Sequence, residues 1–338
     1  MTIYFLELSN MKKTIWALLD SRMGSVNVIR GVLQQFSADE FDIVEKQIVY
    51  TPLAKLPNFI KGASCLGLTG ESKKGLSAPF PDLVISGTRR TASAARWIKK
   101  KSDGASKIVQ MLHPGPGAGL NDFDAIFVPE HDKGKKYSNN IVYTVGSPTR
   151  TSAKAMAEAR AKWEPVFSGL DLPRPWTTVI VGGAVKGKPF SPENARTFGE
   201  EVLKLKKEIG GSILITDSWR TGEKAREIIM GILKDIPAYT YLWGEKKDNP
   251  YMGYLACADN IIVTGDSVSM TCESCGTGVP VYVFCGQNWL TPKQLRFVQS
   301  LYDNGYAIAS SNPDRKSFKG GKKLNAAVEV ADKIRSLF

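Results

Sequence analysis

The sequence predicts an α/β protein with two domains, each built around a parallel β-sheet. Its 338 residues exceed one average domain and suit two. Short runs rich in Val and Ile alternate with amphipathic segments almost from end to end, which is typical of parallel strands joined by crossover helices. Two prolines within residues 171–176 interrupt this series and suit a connection between domains. We therefore expect a first domain at residues 1–170 and a second at residues 171–322.

The first series begins with a strand at residues 14–19 and a helix at residues 25–36. Apolar side chains recur along this helix with a helical period, so they share one face: Val26, Ile29, Val32, Leu33 and Phe36. Further strands are predicted in FDIVEKQI, PDLVIS, KIVQML, DAIFV and NIVYTV, and a helix in TASAARWIKKK.

A helix at residues 153–167 precedes the second series. Strands are predicted in TTVIVGG, SILIT, YTYL, NIIVTG and PVYVF. Helices are predicted at residues 193–209, 223–233, 251–258, 269–276 and 324–337. We expect residues 323–338, which contain the last of these helices, to pack back toward the first domain.

The composition indicates a cytoplasmic protein. No apolar run approaches the roughly 20 residues that a membrane span requires. In the N-terminal stretch, Glu7 interrupts the apolar segment and the lysines follow it, which is the reverse of a secretory signal. The five cysteines are odd in number and unevenly spaced, so reduced thiols are expected rather than a disulfide framework.

The net charge of +12 favours anionic partners such as nucleotides, nucleic acid or an acidic membrane surface. The basic clusters lie at residues 99–101, 133–136 and 314–323. They have no interleaved aromatic residues of the kind that single-stranded nucleic-acid binders use, so no nucleic-acid partner is expected. Solvated helix ends and loops explain them most simply, and a peripheral contact with the inner face of a membrane is the alternative.

The loops after the strands should carry the chemistry, because two such α/β halves place them on either side of a cleft between domains. Residues 182–189, GGAVKGKP, match a P-loop until Pro189 replaces the hydroxyl residue that would bind magnesium, which disfavours nucleotide hydrolysis. Gly182 and Gly183 still allow backbone amides to approach a phosphate or a sugar. The alternative is a tight turn between a strand and a helix.

The segment DSVSMTCE suits the start of a phosphate-binding helix. Asp266 or Ser267 can cap the helix, and the free amides up to Met270, with the hydroxyls of Ser267 and Ser269, can donate to phosphate oxygens. Glu273, about one turn further, can accept hydrogen bonds from ribose or sugar hydroxyls. The alternative is an ordinary capping box.

Cys272 and Cys275 form a Cys-x-x-Cys pair in the same helix. A zinc site would need two more ligands at suitable spacing, and a redox pair normally sits at the helix start. We therefore expect no metal site, and interpret both cysteines as small buried residues.

Two further loops of the second half supply candidate donor-binding residues. Arg220 offers a planar charge suited to a diphosphate. Asn249 and Tyr251 flank a proline turn that can present them to a base or a sugar. Surface-loop chemistry would explain all three equally well.

A general base is expected in the first half. Asp20 follows the first strand, and Arg22, Gly24 and Asn27 accompany it in the turn to the first helix. His131 is the second candidate, although a histidine that only structures its own turn is the alternative.

Together these loops resemble a known family across nearly the whole chain, the bacterial branch of the mitochondrial-fission ELM1-like family, often labelled as nucleoside-diphosphate-sugar epimerases. The matching motifs are D-S-R-M-G-x-x-N, PDLVISGTRRTASAAR, FDAIFVPEHD and NIVYTVGSPTR in the first half, and VIVGG, RTGEKAR, DNPYMGYLACAD and VTGDSVSMTCESCGTGVPVYVF in the second.

The resemblance implies a fold like that of GT-B glycosyltransferases: two Rossmann-like domains with parallel sheets facing across a cleft, and a nucleotide-sugar donor on the second domain. Donor-binding roles carry over to Gly182, Gly183, Ser267, Ser269 and Glu273. The first domain, with Arg89 and Arg90 in its GTRRTAS loop, takes the acceptor side.

The resulting hypothesis is an inverting, metal-independent glycosyltransferase that needs no cofactor and moves a sugar from a nucleotide-sugar to an envelope lipid or saccharide. Two alternatives remain open, since the resemblance also covers proteins that recruit fission machinery. They are a non-catalytic GT-B-like scaffold at a membrane surface and a GT-B-type sugar-nucleotide 2-epimerase.

Overall fold

A computed structural model describes residues 12–134 and 138–338. The N-terminal stretch that was interpreted above, and part of the basic run at 133–136, lie outside these residues. The chain divides into two compact units. The described residues up to Arg150 form one unit together with Ala326–Phe338, and Thr151–Asn325 form the other.

Each unit contains one sheet, and the described strands follow the predicted apolar runs except for the last, at residues 308–309, which was not predicted. In the first unit they are β1 Lys13–Leu19, β2 Phe41–Gln47, β3 Leu83–Ser86, β4 Lys107–Met111, β5 Ala125–Pro129 and β6 Ile141–Thr144. In the second they are β7 Trp176–Ile180, β8 Ser212–Thr216, β9 Ala238–Tyr241, β10 Asn260–Thr264, β11 Val281–Phe284 and β12 Ile308–Ala309.

The α-helices of the described ranges fill the crossovers between these strands. They are α1 Met23–Leu33, α2 Asn58–Lys61, α3 Gly70–Lys74, α4 Ala92–Lys101, α5 Ala153–Ser168, α6 Pro192–Ile209, α7 Glu223–Leu233, α8 Tyr251–Cys257, α9 Val268–Gly276, α10 Pro292–Asp303 and α11 Ala326–Arg335. Short 3₁₀ turns lie at Pro52–Lys55, Leu120–Asp122, Glu130–Asp132 and Arg315–Ser317.

The first sheet has the order β2-β1-β3-β4-β5-β6 and is parallel throughout. Helices α1 and α11 cover one face, where Ile29, Val32 and Ile334 share a buried cluster with residues of the strands. Helix α4 covers the opposite face of the sheet, where Ala95 and Ile98 belong to a second buried cluster. Burial on both faces explains why these strands are continuous apolar runs. The predicted apolar face of α1 is confirmed for Val26, Ile29, Val32 and Leu33, which are buried, whereas Phe36 is buried but lies beyond the end of the helix.

The second sheet has the order β12-β11-β10-β7-β8-β9 and is also parallel. Helices α6 and α7 pack on one face, where Phe198, Val202 and Ile229 are buried with the strands. Helices α5 and α8 supply Phe167 and Tyr254 to another buried cluster. The predicted class, α/β with parallel sheets, is confirmed in both halves.

The division of the chain differs from the predicted boundary, because α5 belongs to the second unit. Its Trp163 and Phe167 stack with ring centroids 5.7 Å apart, and Phe167 meets the ring of Trp176 edge-on at 5.8 Å. The prolines of residues 171–176 mark a visible break after α5. However, the buried aromatic rings, which attach α5 to the second core, lie on both sides of that break.

Two features at the end of the chain refine the prediction. Helix α11 belongs to the first unit and packs against α1. Helix α10 was missed, although Thr291 and Gln294 form a reciprocal capping box before it and Pro292 occupies its first turn. None of the helices in the described ranges has the length and apolar character that a membrane span needs.

Candidate functional site

The order of the second sheet reverses between β7 and β10. From β7 the chain moves outward to β8 and β9, then returns to β10 on the other side of β7. Ligands of open α/β sheets bind outside the carboxyl ends of the strands at such a point. Two loops meet there: residues 181–184 after β7 and residues 265–267 after β10.

Asp266 joins these two loops. Its side chain is fully buried, and Oδ2 accepts a hydrogen bond from the Gly183 amide at 3.0 Å and lies 2.9 Å from Nη1 of Arg220. The side chain of Gln294, from the start of α10, donates to the Asp266 carbonyl at 2.6 Å. Burial raises the pKa of the Asp266 carboxyl above its ordinary value, although Arg220 and the Gly183 amide act in the opposite direction. Asp266 therefore holds the site together instead of facing a ligand.

The two glycines have a different role from the predicted one. The Gly182 amide donates to Oγ1 of Thr264 at 2.6 Å, and the Gly183 amide donates to Asp266. A Cβ on Gly182 would lie 2.0 Å from the Asp266 carboxylate, and one on Gly183 would lie 2.0 Å from the Arg220 carbonyl. Both amides already donate within the protein, so they are not available to a phosphate or a sugar, which corrects the predicted donor-binding role of the two glycines. Glycine is required here because the neighbouring loops leave no room for a side chain.

Arg220 lies on the loop after β8, and two hydroxyl groups hold this loop in place. The Arg220 amide donates to the Ser218 hydroxyl, and the Thr221 hydroxyl donates to the carbonyl of Val181 at 3.3 Å. One guanidinium nitrogen, Nη1, forms the ion pair with Asp266 and also donates to the carbonyl of Ala184 at 3.0 Å. Within residues 12–134 and 138–338, Nε and Nη2 have no acceptor, and a quarter of the side chain is exposed. These two nitrogens can bind an anion.

Helix α9 begins where the sequence places it. Ser267 is the N-cap, and its hydroxyl accepts a hydrogen bond from the Met270 amide at 3.4 Å. The Met270 amide is therefore not available to a phosphate, which corrects its predicted role. The amides of Ser267, Val268 and Ser269 have no acceptor in the described part of the chain, and Ser269 is exposed. Three amide donors at a positive helix end form a ready anion site.

Glu273 and Tyr251 connect α9 with α8. The Tyr251 hydroxyl donates to Oε2 of Glu273 at 2.5 Å, and both residues are half-buried. The side chain of Asn249 accepts from the Tyr251 amide at 2.9 Å and so forms the turn that starts α8. Tyr251 thus orients Glu273, while Asn249 orients Tyr251, an arrangement that the sequence did not reveal.

The structure also decides the roles of two other motifs, the P-loop-like segment and the Cys-x-x-Cys pair. Val185 and Lys188 pair across a tight turn, and α6 begins only at Pro192, so the P-loop-like segment does not lead directly into a helix. Cys272 and Cys275 are 1% exposed, which confirms that they are buried helix residues. Burial raises the pKa of the Cys275 thiol, which disfavours a reactive thiolate.

Two exposed tryptophans in the site loops were missed as candidates. Trp219 precedes Arg220 and is 69% exposed, and Trp243 follows β9 and is 59% exposed. Asp217 joins the two loops, because its carboxylate accepts from the Trp243 amide and from Nε of Arg226, each at 2.6 Å. Large aromatic side chains directly after strands were the signal that could have identified them.

In the first unit, Asp20 is buried at the carboxyl end of β1. Its carboxylate accepts hydrogen bonds from the Arg22 amide at 3.0 Å, the Ser25 hydroxyl at 3.2 Å and the Tyr50 hydroxyl at 3.4 Å. Gly24 is exposed with open space around its Cα. Asp20 therefore organises the first turn of α1, and its assignment as a base stays a prediction.

The other first-unit candidates lie on α1 and in the loops after β3 and β5. His131 lies in a 3₁₀ turn and is 5% exposed, about as buried as Asp20, and its assignment as the second candidate base stays a prediction. Asn27 is half-buried on α1. Arg89 is exposed in the loop after β3, and the Arg90 guanidinium lies over the Tyr50 ring at 5.4 Å.

Two solved structures share this fold over nearly their whole length. The crystal structure of Acinetobacter baumannii MurG matches with a TM-score of 0.52 at 14% identity, over 96% of this chain and 99% of that chain. UDP-GlcNAc 2-epimerase from Neisseria meningitidis, bound to UDP-GlcNAc, matches with a TM-score of 0.53 at 12% identity, over 96% of this chain and all of that chain. The fold is therefore GT-B-like, with two Rossmann-like domains.

Within this class, the chain belongs to the mitochondrial fission ELM1 family, which it matches over residues 23–338. The mitochondrial fission protein ELM1 of Arabidopsis thaliana is 28% identical over 81% of this chain and 67% of that protein. An uncharacterised protein of Rickettsia prowazekii is 29% identical over 95% of this chain and 97% of its own length.

Proposed function

We propose that this chain is a GT-B-type glycosyltransferase whose second unit binds a nucleotide-sugar. The observation that carries the proposal is the combination of two positive elements at the reversal point of the second sheet. The free amides at the start of α9 are one, and the unpaired guanidinium nitrogens of Arg220 are the other. Asp266 links them, since it precedes the helix cap and contacts Arg220 at 2.9 Å. The similar epimerase fold that holds UDP-GlcNAc supports this choice of ligand.

The site offers separate groups to the diphosphate and to the ribose of a nucleoside diphosphate. Diphosphate oxygens would accept from the amides of Ser267, Val268 and Ser269 and from Arg220. Glu273, which accepts a hydrogen bond from Tyr251, would also accept from ribose hydroxyls.

The proposed reaction is direct displacement at the anomeric carbon, which inverts its configuration. The acceptor oxygen forms the new bond while the bond to the departing diphosphate breaks, and Asp20 of the first unit is assigned to take the acceptor proton. The negative charge that develops on the diphosphate is stabilised by the helix end and by Arg220. These groups provide the charge compensation that a metal ion supplies in other transferases, and loss of one such donor typically lowers kcat about 100-fold or more.

Calorimetric titration of the full chain with UDP-, GDP-, CMP- and TDP-sugars tests the donor site. We expect one nucleotide to bind, and Arg220→Met to weaken its affinity at least about tenfold, because charge-assisted hydrogen bonds are lost. Arg196→Met is the matched control, since Arg196 is exposed on α6 and its loss removes the same charge. If no nucleotide binds, or both variants behave alike, the proposal is wrong.

Product analysis separates the remaining candidates. A transferase consumes donor only with an acceptor, whereas an epimerase converts the sugar of the donor without one. The scaffold alternative is favoured by membership of a mitochondrial fission family. It predicts neither nucleotide binding nor turnover, and its partners would bind Arg220→Met as well as the wild-type chain.

A further inference from the structure

Lys61 is a buried cation in the first unit without a carboxylate partner. It ends the short helix α2 and is 3% exposed. No ion pair to it forms within the part of the chain that the structure describes. Burial lowers the pKa of Lys61 to about 8, and the charges of Arg89 and Arg90 act in the same direction. The fold thus holds three cations together although they repel one another, and an anion between them would relieve the repulsion.

The segments that carry these cations are packed together by specific contacts. The side chain of Asn58, at the start of α2, donates to the Pro114 carbonyl in the loop after β4 at 2.8 Å. In that loop, Gly115 has a φ of 89° and its Cα lies against the Arg89 side chain, where a Cβ would come within 2.9 Å of Cδ. Gly117, with a φ of 69°, approaches Phe59 of α2 in the same way. The cluster is therefore formed by three mutually packed segments.

This cluster lies near the point where the order of the first sheet reverses. The strand order β2-β1-β3 places β1 between its successor and β3, so the loops after β1 and β3 meet there. Arg90 covers the Tyr50 ring, and the Tyr50 hydroxyl donates to Asp20 at 3.4 Å. The cations thus stand next to the residue assigned as the base, where an acceptor substrate would bind.

Exposed apolar side chains border the same cluster. Phe59 and Ile60, which directly precede Lys61 on α2, are 72% and 52% exposed. Leu53 in the neighbouring 3₁₀ turn is 50% exposed. A buried cation beside exposed apolar groups is complementary to a molecule that has a negative head and a hydrocarbon chain.

We propose that Lys61, Arg89 and Arg90 bind the phosphate of a lipid-linked acceptor, and that Leu53, Phe59 and Ile60 contact its hydrocarbon chain. This inference rests on the proposed function, because it names the acceptor class of the same transferase. Neither phosphate binding nor membrane contact requires a nucleotide, so the two proposals can fail independently.

The phosphate site is tested by thermal-shift and calorimetric titration of the full chain with inorganic phosphate. We expect stabilisation of the wild-type chain, and an affinity at least about tenfold weaker in Lys61→Met, because a charge-assisted contact is lost. Lys74→Met is the control, since Lys74 is exposed on α3 of the same unit. Arg89→Met provides a second variant that does not alter a buried position. Equal binding by Lys61→Met and Lys74→Met, or no binding at all, would overturn the site.

Whether the bound phosphate belongs to a lipid is tested by co-sedimentation with phosphatidylcholine vesicles that contain or lack phosphatidate. We expect binding only with phosphatidate, and its loss both in Lys61→Met and in the double variant Phe59→Ser with Ile60→Ser. Leu295→Ser, which removes an exposed apolar residue of the second unit, is the control. Binding to inorganic phosphate without binding to phosphatidate vesicles would overturn the lipid assignment. Nucleotide-sugar titration of Lys61→Met should match the wild type, which separates this result from a failure of the donor site.

Discussion

Gly182 lies directly against the carboxylate of Asp266, and a methyl group on its Cα would lie 2.0 Å from Oδ1. The two residues lie in the loops that follow the neighbouring strands β7 and β10, and Asp266 also contacts Arg220. This contact sets the position of the loop that leads into α9. The anion site at the helix start therefore depends on a glycine that contributes no donor to the ligand.

Gly182→Ala should destabilise the second unit by at least about 1–3 kcal/mol, because the added Cβ must displace a buried carboxylate. Urea-induced unfolding measures the free energy of unfolding. Gly231→Ala is the control, since nothing lies within 4 Å of that Cβ position on α7, and it should stabilise the chain by about 0.5–1 kcal/mol. Equal effects of the two substitutions would show that the contact is not restrictive.

Tyr251→Phe should weaken nucleotide binding several-fold while it leaves the melting temperature nearly unchanged. The substitution removes the hydroxyl that donates to Glu273 at 2.5 Å and keeps the ring on α8. Glu273 would then lose a hydrogen bond that helps to orient it toward ribose hydroxyls. Titration with the best nucleotide measures this effect, and Tyr302→Phe, on α10, is the control. An unchanged affinity would mean that the Tyr251 hydroxyl does not support the site.

Replacing Cys272 and Cys275 together by alanine should lower the free energy of unfolding by about 1–3 kcal/mol, since each substitution leaves a small cavity. Nucleotide affinity should remain within about twofold of the wild type, because both thiols are buried. Chemical denaturation and calorimetric titration give the two quantities. A loss of binding free energy larger than the loss of unfolding free energy would show that the thiols take part in the binding site.

Arg335→Gln should reduce stability at neutral pH and have little effect near pH 2. The Arg335 guanidinium, with help from the Ser37 amide, lowers the pKa of Glu40 from 4.5 to about 2. A lowered carboxyl pKa stabilises the fold above the unfolded pKa, and this stabilisation disappears as the pH falls from 4.5 toward 2. The pair is exposed, so the difference should stay below about 1 kcal/mol.

Unfolding at several pH values compares this variant with Lys333→Gln, which removes an exposed charge from the same helix. A constant difference between Arg335→Gln and the wild type across the acid range would exclude the pair with Glu40 as its cause.

Most strands and helices of both units, but not β12, α2, α3 and α10, were predictable because their sequence signals are local. The helical period of Val26, Ile29 and Val32 identifies α1 whatever surrounds it, and the apolar runs identify strands buried on both faces. The α5 boundary was not predictable, since its place depends on which distant aromatic rings Trp163 and Phe167 meet. Helix α10 was missed despite a local signal, the capping box at Thr291.

The sequence by itself determined the α/β class, the start of α9 and the burial of its two cysteines, because periodicity and capping act over a few neighbouring residues. Only the tertiary structure decided which groups are free to bind a ligand. The Gly182 and Gly183 amides are used by Thr264 and Asp266, more than 80 residues further along the chain. Lys61, which no motif distinguishes, stands beside two arginines. Such pairings depend on the strand order of the folded sheets, which brings loops distant in sequence to one edge.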